Sequence, residues 1–389
     1  MLEGEQGPAV MKSMELLTAL GDVFGAECLV EVASVHISGV SYRNLGDAGT
    51  EWLEELARLE AIVDSSIRAT LNPAGMDMVD WRRMGVTEKF AVGQRRIIDA
   101  FKTMGVETTC TCTPYLIGHT PNLGSQIAWA ESNAVCYSNS VLGARTNRES
   151  GPTSLASAIT GLTPLYGYRL DENRLPGTVV EVEAELRCPM DFSAVGYHIG
   201  KILGTTIPYF KGLGKPDIES MKTLGAACAT SGGIALWHAE DVTPEASYAA
   251  DHLNGLETLV VNEKDLKEVK NSFTAIHDEA TYCLGCPHCS LNEIQEIATS
   301  VKGGDLKRKL WVFTSRGVYA EAERRGFINM IEKANGNVFR DTCMVVAPLK
   351  DMGWKSVVTN SFKGAHYSLA HGFPTKTLPF DHLLREAQR

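Results

Sequence analysis

The chain has 389 residues, 44% of them hydrophobic and 22% charged, the balance of a soluble globular protein long enough for two α/β lobes sharing a cleft. A formal charge of −10 argues against broad contact with nucleic acid, which needs clustered lysine and arginine. No run approaches the roughly 18 apolar residues of a membrane span. The start, MLEGEQGPAVMKSMELLTALG, lacks the basic segment and apolar stretch of a secretory leader, so the protein is expected in the cytoplasm. There its 10 cysteines would stay reduced, being too sparse for a disulfide scaffold but available as metal ligands.

In chain order, AECLVEVASVHIS (26–38) is rich in β-branched residues and reads as a strand, followed by GVSYRNLGDAGT as a loop. Trp52, Leu56, Leu59 and Val63 recur at steps of four and three, which predicts a helix over 50–63. LNPAG reads as a turn. Phe90, Ile97, Phe101 and Met104 mark a second helix over 87–104, ended by Gly105. The threonines, cysteines and prolines of VETTCTCTPYLIGHTPNLGSQ suit a short strand running into a loop. Residues 122–162 read as helical with polar interruptions, and GTVVEVEAELR alternates as a half-buried strand does. From 216 onward ETLVVN, KLWVFTS, TCMVVAP and KSVVTNS are short apolar runs between amphipathic segments such as RGVYAEAERRGFINMIEKANG. That is βα alternation around a mainly parallel sheet, with ligands expected at strand ends near Ser315, Cys343 and Ser361. The expected division is an N-terminal lobe, 1–215, carrying an anion-binding segment, and a C-terminal lobe, 216–389.

Several chemistries are weighed against this frame. GLGKPD (212–217) lacks the spacing of a phosphate-binding loop, and TSLAS lacks the glycine frame of a serine nucleophile. DEATYCLGCPHCS (278–290) spaces Cys283, Cys286 and Cys289 evenly, which suits an iron–sulfur cluster, structural zinc with His288, or three packing thiols. Spacing does not choose among them. WAESNAVCYSNSVLGARTNRES (129–150) is dense in polar groups, and Arg145 and Arg148 could clamp a carboxylate or phosphate, although solvated helices look similar. Lys363, after a predicted strand, is placed to face a substrate, although a lone lysine is more often solvated surface; His36, His119 and His366 are each candidates for acid–base work or for structural hydrogen bonding.

Taken together, HISGVSYRNLGDAG, LNPAGMD, TCTPYL, ESNAVCYSNSVLGARTNRE, YCLGCPHCS, DTCMVVAP and TNSFKGAHY resemble the catalytic large subunit of the aconitase X family over residues 1 to about 375. The resemblance implies an aconitase-superfamily-like α/β fold, multi-lobed, with mainly parallel sheets flanked by helices and a cleft holding an iron–sulfur cluster. It implies a hydro-lyase whose 4Fe-4S cluster is held by Cys110, Cys283 and Cys343, with Cys286 in reserve and Cys112 and Cys289 as neighbouring or packing thiols. Three thiolates would leave one iron open as a Lewis acid, and loss of that iron would leave a three-iron form. By the same likeness Gly39, Val40, Ser41, Asn72, Pro73, Glu131, Ser132 and Lys363 contact substrate, with Lys363, Glu131 and Ser132 in the catalytic group. The base is implied to be a serine of a separate small subunit. At 389 residues the chain has about the length expected of the archaeal-type large subunit, whereas members of the hydroxyproline-dehydratase branch are often fused to a smaller domain. The implied reaction is therefore dehydration of (R)-5-phosphomevalonate to trans-anhydromevalonate 5-phosphate in an archaeal-type mevalonate route. Arg145 and Arg148 are the expected anion site. The rivals are a cis-3-hydroxy-L-proline dehydratase and a non-enzymatic metal-binding scaffold.

Overall fold

The computed structural model describes residues 1–302 and 304–389, folded as three predominantly parallel sheets with helices packed on their faces. The first region contains β1 (Leu29–Glu31), β2 (Ser34–Ile37), β3 (Arg68–Leu71), β4 (Ala128–Trp129) and β5 (Leu162–Pro164). β2 is central in the parallel order β3-β2-β4, with His36 opposite Thr70 and Trp129; β1 and β5 form a separate antiparallel pair. The predicted strand over 26–38 is thus two strands, parted at Val32 and Ala33.

The second sheet runs β8-β7-β6-β9, all parallel, from β6 (Thr178–Val182), β7 (Pro208–Lys211), β8 (His238–Ala239) and β9 (Thr258–Val261). The expected boundary at 215/216 falls inside this sheet, after β7. The third sheet runs β12-β11-β10-β13-β14 and comprises β10 (Ala280–Cys289), β11 (Lys309–Thr314), β12 (Asn337–Arg340), β13 (Ser356–Thr359) and β14 (Thr375–Thr377). Its interior strands are apolar on both faces, as a parallel sheet covered on both sides requires.

Local chemistry explains where elements depart from expectation. The helix predicted over 50–63 spans Tyr42–Arg58, because the Ser41 hydroxyl accepts from Arg43 N–H and starts it eight residues early, with Gly46 at φ 58° bending it. Leu53 and Leu56 face the core, whereas Trp52 is exposed. The second helix, Glu88–Thr103, is capped by Thr87 as its sequence suggests. Within 122–162 the helices are Ser132–Ser140 and Gly151–Thr160, with β4 and β5 outside them. TCMVVAP is a turn rather than a strand: Asp341 takes φ 67°, and Val346 and Ala347 donate back to the Cys343 carbonyl. Among the described residues no helix is long and apolar enough to cross a membrane.

The first and third sheets meet at the carboxyl ends of their strands. Ala74, just beyond β3, bridges Thr342, just beyond β12, and its N–H donates to Asp341 O at 2.8 Å. Ser41 Oγ, beyond β2, donates to Val346 O at 2.9 Å. The strand-end loops of two sheets therefore face each other, the position at which α/β proteins gather ligands.

Candidate active site

A cavity of about 50 Å³ lies at this junction, lined by Asn72, Pro73, Cys112, Glu131, Gly285, Cys286, Pro287, Cys343, Val345, Val346 and Lys363. Its groups arrive from six places in the sequence. Asn72 follows β3 and is fixed by its N–H donating to Ile37 O at 2.8 Å. Cys112 comes from the segment after residue 107, and Glu131 caps the helix Ser132–Ser140, accepting from Ala134 N–H at 2.6 Å. Cys286 lies on β10, Cys343 on the turn after β12, and Lys363 in the first turn of the helix Phe362–Ala370, which Ser361 caps.

Lys363 and Glu131 form a buried pair, Nζ to Oε1 2.6 Å, and Lys363 also reaches Ser132 Oγ at 3.2 Å. Burial alone would raise the Glu131 carboxyl, but the Lys363 ammonium and the backbone N–H groups of Asn133 and Ala134 hold it below its usual value. Burial alone would lower Lys363, and Glu131, joined by nearby thiols, raises it instead. Both groups are thus held charged in a dry setting.

β10 explains the even cysteine spacing. Odd steps along a strand change faces, so residues three apart cannot all point one way. Cys283 packs with Trp311 and Phe313, Cys289 packs in the core on the other side with Ile294, and Cys286 turns into the cavity. The turn is made by a register shift between Leu284 and Cys289, where Gly285 takes φ 100° and a Cβ would lie 2.1 Å from Phe313 O. The Cys286–Pro287 peptide is cis.

His288 ties the thiol-bearing segments together. Its Nε2–H donates to Thr342 O at 2.9 Å, which leaves Nδ1 to accept from Thr111 Oγ1 at 3.1 Å, while its backbone N–H donates to Cys112 Sγ at 3.3 Å. Both ring nitrogens are used, so His288 is a brace rather than the fourth zinc ligand weighed from sequence. Burial lowers it to about 4, keeping it neutral.

Of the three expected cluster ligands only Cys343 lines the cavity. Cys110 takes φ 45° and faces Asp341 and Arg316, and Cys283 lies against Lys309 and the aromatic core. Cys112 and Cys286 stand beside Cys343 instead. Burial, with each thiol adding to the next, pushes Cys286 and Cys343 up to about 12 and Cys112 upward as well. Among the described residues no three His, Cys, Asp or Glu side chains are close enough to hold a single metal ion. Three thiols spread around one cavity and free of disulfides fit the soft, wider demand of an iron–sulfur cluster better than that of one ion.

Asn72, Pro73, Glu131 and Lys363 line the cavity as expected, and Ser132 touches it through Lys363. Gly39, Val40 and Ser41 do not line the cavity: Ser41 holds Val346, and Val40 O accepts from Gln94 Nε2, whose Oε1 accepts from Gly75 N–H. Arg145 is engaged elsewhere, by Asp171 and the Arg169 carbonyl, and Arg148 is exposed. Neither reaches the cavity. Cys112, expected as a neighbouring or packing thiol, lines the cavity, and sequence reading missed Gly285, whose signal was a glycine interrupting an apolar strand run.

A cavity that joins three thiols, a buried ammonium–carboxylate pair and an asparagine at the strand ends of two sheets has the build of an enzyme site, not of a structural metal knuckle. Models of the aconitase X first, second and third domains match residues 1–172, 176–271 and 280–388. The chain is 49% identical to the phosphomevalonate dehydratase large subunit of Methanothermobacter thermautotrophicus, over 94% of this chain and 91% of that protein. It is 32% identical to the cis-3-hydroxy-L-proline dehydratase of Hypocrea jecorina, over 94% of this chain but 63% of that protein. The crystal structure of Thermococcus kodakaraensis aconitase X in its holo form superposes with a TM-score of 0.92 at 43% identity, covering 99% of this chain and 97% of that one. The chain belongs to the aconitase X family.

Proposed function

We propose that the chain is the large subunit of a hydro-lyase that dehydrates (R)-5-phosphomevalonate to trans-anhydromevalonate 5-phosphate, working with a separate small subunit. The observation that carries the enzyme reading is the buried Lys363–Glu131 pair facing three thiols across one cavity. The substrate reading rests on four relatives of that name at 42 to 49% identity, with a fifth at 30%, against 32 to 33% for the hydroxyproline dehydratases, of which the chain spans only 63 to 65%.

Cys112, Cys286 and Cys343 would hold the iron–sulfur cluster, in place of the set Cys110, Cys283 and Cys343. When bound, such a cluster supplies a Lewis-acidic iron that assists departure of a hydroxyl. Lys363 offsets the negative charge that builds on the substrate carboxylate as the neighbouring carbon loses its proton. Glu131, caught between that ammonium and two backbone N–H groups, orients Lys363 and is a poor base. The other titratable groups on the wall are the thiols that would hold the cluster, which agrees with the family resemblance in placing the proton acceptor on the small subunit. A volume of about 50 Å³ is well below the roughly 300 Å³ of sites that enclose small molecules. Val345 and Val346, half-buried on their turn, are the wall that yields to substrate.

The test is anaerobic co-production with the small subunit, iron–sulfur reconstitution, and assay of both candidate substrates. Water loss from phosphomevalonate by the complex, with little by either subunit alone, is expected. Turnover of cis-3-hydroxy-L-proline alone, or full activity of the isolated chain, overturns the reading.

A further inference from the structure

Behind the cavity, the sheet β3-β2-β4 carries a file of buried polar side chains. Trp129 Nε1–H donates to Ser34 Oγ at 2.8 Å, and Ser34 Oγ lies 2.6 Å from His119 Nε2. His119 Nδ1 lies 2.9 Å from Thr70 Oγ1, which lies 2.8 Å from His36 Nδ1. The file stops at two buried atoms without partners, His36 Nε2 and Asn72 Oδ1.

Counting protons gives the file a direction. Trp129 can only donate, so the Ser34 proton has one destination, His119 Nε2. Burial lowers His119 to about 3 and His36 to about 4, so both rings are neutral and each carries a single N–H. His119 is therefore protonated on Nδ1 and donates to Thr70 Oγ1. The Thr70 proton can go to His36 Nδ1 at 2.8 Å or to Val35 O at 3.5 Å; the second is far beyond a good O–H···O length, and the imidazole wins. His36 then carries its proton on Nε2. The Asn72 side chain, the Thr111 backbone and the Glu131 carboxylate each favour protonation of the His36 ring, although burial outweighs them.

We propose that Trp129, Ser34, His119, Thr70 and His36 form a one-way hydrogen-bond chain that presents His36 Nε2–H to the unpartnered Asn72 amide oxygen and so turns the Asn72 nitrogen, as donor, toward the substrate. His36 and its predecessors are positioning residues, since none of them lines the cavity. A reversed chain would offer Asn72 a bare nitrogen, flip the amide and present an acceptor to an anionic substrate. The inference rests on the cavity being the substrate site proposed above.

The chain is tested by nitrogen-15 NMR of histidine-labelled large subunit and by kinetics of the complete two-subunit enzyme. The two rings are expected in opposite tautomers, His119 with Nδ1–H and His36 with Nε2–H. Thr70→Val, which removes the link, is expected to raise KM about tenfold with kcat changed less than about threefold, and Thr70→Ser to restore wild-type KM. His36 found as the Nδ1–H tautomer, Thr70→Val with an unchanged KM, or Thr70→Ser as impaired as Thr70→Val would each overturn the proposal. The tautomers are read without substrate or small subunit, so they judge the chain even where Thr70→Val does not fold. A wild-type complex inactive on phosphomevalonate would sink the functional reading and leave the tautomer result standing.

Discussion

Cys110 and Cys112 sit two residues apart, a step that would put both on one side of an extended chain. They face different partners because Cys110 adopts φ 45°, which turns it to Asp341 while Cys112 enters the cavity. Cys112→Ser and Cys286→Ser are therefore expected to abolish cluster incorporation, read as iron and sulfide content after reconstitution, whereas Cys110→Ser and Cys283→Ser retain it. Equal loss in all four would refute this assignment of ligands. Lys363 makes a second prediction. Lys363→Met removes the charge opposite the developing anion and is expected to lower kcat by about 10²–10³. It also strands the buried Glu131, costing about 3 kcal/mol in a denaturant titration. Glu131→Gln in the same background should recover most of the stability and none of the rate.

At the level of elements, β10 decides which thiol is available. Its bulge needs a residue at φ 100° with no side chain against Phe313 O, and only glycine meets both demands. Gly285→Ala should cost about 1–3 kcal/mol from the strained backbone alone. Because the bulge aims Cys286, the variant should also fail to take up a cluster even where circular dichroism shows it folded. A folded Gly285→Ala protein with full iron content would show that the bulge does not set the site. The strand itself was legible only as a motif. YCLGCPHCS carries so many cysteines that its apolar, strand-like run was read for metal chemistry, and the geometry that separates its thiols depends on neighbours β11 and β13. Helices with strong caps were easier: Thr87 opens Glu88–Thr103 close to the predicted start, while Ser41 lies in GVSYRNLGDAGT, whose three glycines read as a loop.

Across the whole molecule, burial of neutral histidines ties stability to pH. His36 is lowered to about 4 from the ordinary 6.5, chiefly by desolvation, and His119 to about 3 by the same cause. Below 6.5 the unfolded chain binds protons that the folded chain refuses, so this stabilisation is complete above that pH and is lost as pH falls toward 4. For His36 alone the loss is roughly 3 kcal/mol. Urea midpoints measured from pH 7.5 down to about pH 4.5 should fall steadily, and His36→Gln should flatten the slope. A midpoint independent of pH in this window would contradict buried neutral rings.

The amino-acid sequence by itself determined the α/β class, the mainly parallel sheets and the family likeness, because periodicity and contiguous motifs are local properties of the chain, and through that likeness it nominated Asn72, Glu131 and Lys363, which the structure brings to one cavity. It also supplied Cys343. Only the tertiary structure decided which two thiols line the cavity with Cys343, that Arg145 is spent on Asp171, and that His288 braces that wall with both nitrogens occupied. Those outcomes depend on one left-handed residue, one bulge, and the meeting of two sheets at their strand ends. Such features are set by the packing of segments far apart in sequence, where spacing carries no information about facing direction.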